Sequence, residues 1–373
     1  MRRLLIVLCL IVLIVVATGV GLLAADLPFW QRAWVWQTAP AGRPPDSLPG
    51  ASRALAATTA TGADNIARDF GASAPPLPEE LVAELAKLAG RQATSALLVA
   101  QRDTLQFESY GAPLNAASLL SGGELSSAWL APLFGIASAV RPGLLDEPVG
   151  DHLPEWRNDR RGLITPRQLF WRVSGLAVPD FVPLNPFSNR ARLASGPNFV
   201  RAALAFPAEL PPGGYFRGSP ADMQLLALVL QRATGKELGS FLETALWLPL
   251  GGGPAKATLD RRGGTVAVHC CFAATGRDWL RLALLLANDG MSDRQRLLPA
   301  SFVTQIARQS PVHPGAGLGL RVEVGPAGAR VLVMEGQGRW LVAAPGRGIA
   351  VAWFSEAPLP VEARLAVLSA LGL

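Results

Sequence analysis

The sequence predicts an α/β (α+β) protein: an antiparallel sheet flanked by N- and C-terminal helices, an inserted helical lobe, and one N-terminal transmembrane helix. Three observations lead there. Strand-like runs fall into two groups, separated by a long helical stretch. Amphipathic helix patterns stand before the first group and after the second. An unbroken apolar run lies near the N-terminus. Of 373 residues, 50% are hydrophobic and 17% charged, a composition that supports packed cores and argues against a disordered chain.

Leu4 to Ala25 is a run of 22 uncharged, mostly apolar residues. At about 1.5 Å per residue, a helix of that length spans a hydrocarbon core of roughly 30 Å. Arg2 and Arg3 precede it, which keeps the N-terminus in the cytoplasm. Phe29, Trp30, Trp34 and Trp36 follow it in the manner of an interfacial aromatic belt. A cleaved signal peptide is the other reading of such a segment, and this run is long for one. Either way the rest of the chain lies outside the cytoplasm. The expectation is a single-pass protein of the bacterial inner membrane, anchored by residues 1–25, with its globular domain in the periplasm. Residues 26–77, rich in Pro, Gly and Ala, read as a tether and extension.

The globular domain then covers 78–373, with the helical lobe at about 112–310. Pro78-Glu79-Glu80 opens a helix with acids at its positive end, and Leu81, Leu85 and Leu88 form its apolar face. Ser95–Gln101 and Thr104–Tyr110 read as a hairpin. Candidate helices follow at Ser126–Val140, Thr165–Val173, Asn198–Phe206, Ser219–Thr234, Leu238–Leu246 and Thr275–Asn288. Ser219 reads as an N-cap and Pro220 as the first helical residue. Leu318–Val324, Ala329–Met334, Trp340–Ala344 and Ile349–Phe354 read as antiparallel strands, and Val361–Leu371 as a closing helix. If the two strand groups share one sheet, the terminal helices cover one face. The insertion then forms a second lobe across a cleft.

Charge and motifs exclude several functions. The formal charge is +6, but the arginines are scattered and no basic stripe with interleaved aromatics occurs, so no nucleic-acid partner is expected. Cys270 and Cys271 are adjacent. Strand neighbours face opposite ways, so two buried thiols are expected rather than a vicinal disulfide. For the same reason His269, Cys270 and Cys271 do not converge on an ion; no metal and no cofactor is expected. His152 and His313 read as surface or core groups. There is no G-x-S-x-G, H-E-x-x-H, Walker A or C-x-x-C motif, and Gly315-Ala316-Gly317-Leu318-Gly319 reads as a turn rather than a phosphate cradle.

Short segments in order along the chain carry a resemblance. They are Leu144-Leu145-Asp146-Glu147-Pro148-Val149 with Leu153-Pro154-Glu155-Trp156, then Asp159-Arg160, Ile164-Thr165, Leu169 and Ser174-Gly175-Leu176. Pro212-Gly213, Asp222, Leu225-Leu226 and Gly235 follow, and then Trp247-Leu248-Pro249-Leu250-Gly251. Cys270-Cys271, Ala274-Thr275, Arg277-Asp278-Trp279 and Asn288-Asp289-Gly290 complete the set. Together they resemble the serine β-lactamase and penicillin-binding-protein superfamily over roughly residues 80 to 373. The branch is that of class C-related esterases and nylon-oligomer (6-aminohexanoate-dimer) hydrolases. The resemblance implies a β-lactamase/transpeptidase-like fold.

It also implies a chemistry. A serine at a helix start attacks, a lysine one turn on in S-x-x-K helps take its proton, a tyrosine in Y-x-N serves the leaving group, and a K-T-G-type strand lines the oxyanion hole. This chain departs from that set. The position of the serine falls on Glu124, that of the lysine on Ser127 and that of the tyrosine on Gly218. The only lysines are Lys87, Lys236 and Lys256, and none completes S-x-x-K. The third motif reads Glu335-Gly336-Gln337-Gly338; these four residues, with Tyr215 and Pro220, are expected to line the cleft. The resemblance with its degenerate motifs implies a membrane-anchored pseudoenzyme that binds a cell-wall fragment, another cell-envelope ligand or a protein partner. The alternative is an active amidase or esterase with a rearranged, lysine-free site, in which Ser121, Ser126 or Ser127 near the helix start attacks, Glu124 acts as base and Ser219 donates a hydrogen bond.

Overall fold

Successive residues on a strand face opposite sides, and in the main sheet of this protein both sides are apolar. Leu97, Val99, Val342, Val351 and Trp353 point into one core, while Ala96, Leu98, Leu341, Ala350 and Ala352 point into another. The computed structural model describes residues 9–13, 21, 26–40, 45–57, 75–91, 93–102, 104–292 and 295–373. Among them the strands are β1 (Ser52–Leu55), β2 (Thr94–Gln101), β3 (Thr104–Tyr110), β4 (Leu119–Ser121), β5 (Ala255–Thr258), β6 (Phe272–Thr275), β7 (Met291–Ser292), β8 (Gln295–Arg296), β9 (Arg321–Val324), β10 (Arg330–Gly336), β11 (Arg339–Ala344) and β12 (Ile349–Ser355).

Six of the described strands form one antiparallel sheet in the order β3-β2-β12-β11-β10-β9. The two strand groups therefore share a sheet, joined where Val351 of β12 faces Val99 of β2. Helices Glu79–Ala89 and Val361–Ala370 cover one face through Leu85, Val367 and Leu368. Helix Gly276–Ala287 and the helical lobe lie on the other. A second sheet, β1-β5-β6-β4, has strands of three or four residues and borders the lobe. Trp129, Trp247, Phe272 and Trp279 lock it in place, with the Trp129 ring 5.1 Å from Trp247 and 5.4 Å from Trp279. Offset and edge-on contacts of this kind add to the area such rings bury.

Four expectations need correction. First, the tether over 26–77 is folded where it is described. Helix Leu27–Thr38 packs on helix Asn189–Ser195 with Phe29 and Ala33 fully buried. Arg32, also buried, donates to the carbonyls of Pro49 (2.9 Å) and Leu259 (2.8 Å), and β1 pairs with β5. Phe29 therefore belongs to protein packing rather than to an aromatic belt. So does Trp36, which donates to the Ala194 carbonyl at 3.1 Å; Trp34 stays exposed. Second, Cys270 and Cys271 form a vicinal disulfide. Cys271 takes a left-handed backbone (φ 67) and β6 starts only at Phe272, so the two side chains do not diverge as on a strand.

Third, the helix expected over Ser126–Val140 is a 3-10 turn at Gly123–Ser127 followed by an α-helix at Leu130–Val140. Pro132 has no N–H and its ring would clash with the carbonyl of Ala128, which bars a continuous α-helix. Fourth, the helix expected from Ser219 starts at Asp222. The Ser219 N–H donates to Asp222 Oδ2 (2.9 Å) and its hydroxyl to the Ala177 carbonyl (2.8 Å), so Ser219 and Pro220 form the preceding turn. Most of the apolar run Leu4–Ala25 lies outside the described residues. Among the described residues no helix is long and apolar enough to cross a membrane.

Candidate functional site

A cleft of about 1130 Å³ opens between the main sheet and the helical lobe. Glu124 and Ser127 of the 3-10 turn line it, as do Met334 to Trp340 at the β10–β11 turn. Phe170, Arg172, Phe216 and the turn Gly218-Ser219-Pro220 line it from the lobe. Trp36, Ala39 and Pro40, from the segment read as a tether, also reach it.

Glu124 stands where the resemblance places the nucleophile. Its carboxyl opens to the cleft and makes no hydrogen bond or ion pair with any described residue. Removal from bulk water raises its pKa; the charges of Arg172 and Arg339 oppose that, and Glu335 adds to it. Gly336 lets Glu124 lie against the sheet, since a Cβ there would come 2.9 Å from Glu124 Cβ. Ser127, at the lysine position, donates its hydroxyl to the Glu124 carbonyl at 3.3 Å. Gly218, at the tyrosine position, is pressed by Arg172, whose Nε would sit 2.0 Å from a Cβ built there.

The other candidate serines serve the backbone. Ser121 Oγ accepts from the Gly123 N–H at 3.4 Å, and Ser126 Oγ accepts from the Phe272 N–H at 3.1 Å. Ser219 has the bonds given above. Among the described residues, none of their hydroxyls is hydrogen-bonded to a lysine, histidine or carboxylate side chain that could take its proton. A close serine–carboxylate pair does exist, Ser174 Oγ to Asp222 Oδ1 at 2.7 Å, but both groups are sealed from solvent. Burial pushes the Asp222 carboxyl up to about 7, against the pull of the Ser174 hydroxyl, the Ser219 amide and Arg172. Its evident task is to anchor the turn that presents Gly218.

No lysine lines the cleft, and neither tyrosine does. Tyr110 is on β3, where its hydroxyl donates to Glu108 at 2.7 Å. Tyr215, expected at the cleft, points to solvent, and Phe216 lines it instead, stacked 3.7 Å from the His313 ring. Neighbours in an extended stretch face opposite ways, and the sequence does not say which faces in. Pro220, Gly336, Gln337 and Gly338 line the cleft, and so does Glu335. Glu335 is not a free acid: it pairs with Arg321 at 3.0 Å and Arg364 at 2.6 Å.

Sequence reasoning missed Arg172, Phe216, His313, Arg339 and His269 as cleft residues. Nothing in their spacing marks them. Both ring nitrogens of His269 are enclosed without a well-formed hydrogen bond, and its ring packs edge-on to Phe199 at 5.1 Å. Burial pushes its pKa down to about 4, with the Ala194 backbone opposing and Arg32 reinforcing the shift. Among the described residues no three metal-binding side chains come together.

A family model described as Beta-lactamase matches residues 135–371, a span that begins after Glu124 and Ser127. No curated protein matches the chain. Solved structures share the fold. A Bacillus anthracis protein assigned as a 6-aminohexanoate-dimer hydrolase is similar with a TM-score of 0.67 and 18% identity, over 86% of this chain and 89% of that one. A penicillin-binding-protein homologue from Caulobacter crescentus gives 0.63 and 16%, over 80% and 99%. A class C beta-lactamase from Rhodobacter sphaeroides gives 0.58 and 15%, over 79% and 98%. A match across well over half of the sequence, joined to that shared architecture, shows that the chain belongs to the beta-lactamase family of serine hydrolases.

Proposed function

We propose that this chain is a non-catalytic member of its family, anchored to the bacterial inner membrane, that binds a cell-envelope ligand or a protein partner in its cleft. One observation carries the reading. The cleft is open, and the resemblance sets Glu124, Ser127 and Gly218 at the three positions where the family's chemistry needs serine, lysine and tyrosine. A carboxylate at the attacking position supplies no acyl-transfer nucleophile with a base beside it, and its charge opposes a developing oxyanion. The apolar run Leu4–Ala25 supports the anchor and the periplasmic placement of the domain.

The test is made on membranes from cells expressing the full chain. The protein should stay in the membrane pellet through alkaline wash and be open to protease from the periplasmic side. It should take up neither a fluorescent penicillin nor a fluorophosphonate. Stable labelling of one serine would overturn the inactive reading, and release by alkaline wash would overturn the anchor.

A further inference from the structure

A helix on a protein surface ordinarily turns charged residues to the water. Helix Leu27–Thr38 does not. Its one charged residue, Arg32, sits on the docked face and is buried. Its outward face carries Leu27, Gln31, Trp34 and Thr38, spaced three to four residues apart, with Leu27 52% and Trp34 62% exposed. Beside it runs the loop 181–188, also without a charged side chain. Phe187 in that loop is 93% exposed, and Val182 and Leu184 are exposed with it.

Two contacts hold the loop along the helix. The Phe181 ring meets Trp36 edge-on at 5.2 Å. Arg192 donates to the Pro186 carbonyl at 2.6 Å and pairs with Asp26. Asp26 directly follows the apolar run Leu4–Ala25. One arginine therefore ties the residue before Phe187 to the point where that run ends. Asp180, just before the loop, lies in the field of Arg190.

The interfacial layer on each side of a bilayer is roughly 5–8 Å deep and favours tryptophan. Leu27 follows the apolar run by two residues and enters that layer at once. Trp34 lies two turns further along the same face, about 10 Å along the axis, so it shares the layer only if the helix lies parallel to the membrane. An outward face without charge over the whole helix fits that posture, because such a face is buried at the boundary between headgroups and acyl chains.

We propose that the folded domain rests on the bilayer through this surface, with helix Leu27–Thr38 flat at headgroup level and Leu27, Trp34 and Phe187 entering the acyl boundary. The proposal rests on the reading of the first 25 residues as an anchor and adds a second, peripheral contact to it. The far end of the same helix brings Trp36, Ala39 and Pro40 to the cleft. The surface thereby also holds the lobe-side rim of the cleft near the headgroups.

The test uses the full chain in vesicles of phosphatidylcholine and phosphatidylglycerol. Cys9→Ser removes the free thiol, while Cys270 and Cys271 stay paired and buried. Phe187→Cys, Trp34→Cys and Val324→Cys are then made singly in that background, each to carry one environment-sensitive fluorophore. Val324 is exposed on β9, at the edge of the main sheet, and serves as the control. Labels replacing Phe187 and Trp34 should emit further to the blue than the control. They should also be quenched more by a nitroxide near the headgroup end of the acyl chain than by one at its terminus, as befits a depth of about 5–10 Å. Labels at both places quenched no more than the control would overturn the proposal. So would a blue shift that comes without nitroxide quenching and grows with the protein-to-lipid ratio, which would put a second copy of the chain on this face. Alkaline extraction of the same vesicles reports on the anchor alone. A chain that washes off after its labels were quenched would overturn the anchor and leave the surface contact standing. A chain that resists the wash with unquenched labels would do the reverse.

Discussion

Gly218 and Arg172 are a mutually dependent pair. A methyl group at 218 would collide with the guanidinium rather than with backbone, and a flexible side-chain end can swing away. Gly218→Ala should therefore displace Arg172 with little cost to the fold, within about 0.5 kcal/mol as for other surface changes. Thermal unfolding of this variant beside the unmodified chain checks the expectation. The four candidate serines teach a related lesson. Ser121, Ser126, Ser127 and Ser219 all fall near the cleft in sequence, and all four hydroxyls are taken by main-chain groups. Such local bonds are the ordinary use of serine beside turns and helix starts, and no residue count separates them from catalysis. The absence of S-x-x-K was legible because it needs only spacing. The presence of Arg172 was not, because its direction comes from one unusual φ and from a glycine on another loop.

The strands of the main sheet were legible because they are long, apolar and rich in β-branched and aromatic residues, as in Ile349–Ser355. The four strands of the smaller sheet were not. Segments such as Ala255–Thr258 and Leu119–Ser121 are too short to show a period, and β1 gains its identity only by pairing with β5. The N-terminal helix Leu27–Thr38 was misread for the same reason, since its buried face meets residues far along the chain. Its docking has a measurable consequence. Phe29→Ala should cost about 3–5 kcal/mol, the range for removing a buried phenylalanine. A fragment starting at residue 78 should unfold at lower denaturant than one starting at residue 26. Equal midpoints in urea for the two fragments would show that the helix and β1 do not belong to the folded body.

Taken as one cooperative unit, the protein carries two buried groups that titrate in opposite senses. Asp222 is raised to about 7 in the folded chain, against about 3.9 unfolded. The folded state binds the extra proton, so its contribution is full below the unfolded value and is lost as pH rises towards 7. His269 is lowered to about 4, against about 6.5 unfolded. Its contribution is full above the unfolded value and is lost as pH falls towards 4. Over pH 4 to 7 the two offset each other. Relative to the unmodified chain, Asp222→Asn should gain stability as pH rises through that window, and His269→Phe should lose it. Melting temperatures at half-unit steps decide the sign, and parallel curves for all three proteins would refute both assignments.

The order of amino acids was enough to find two strand groups with helices before and after them, to carry a resemblance to the β-lactamases, and to show that no S-x-x-K is present. Those conclusions need only periodicity, spacing and residue identity. Folding supplied the remainder. It docked the N-terminal helix on the lobe, joined Cys270 to Cys271, turned Tyr215 out and Phe216 in, and left Glu124 and Arg172 unpaired across a cleft. Each of these depends on backbone direction at single residues or on contacts between distant segments. Neither leaves a repeating signal along the chain, so neither can be read before the lobes come together.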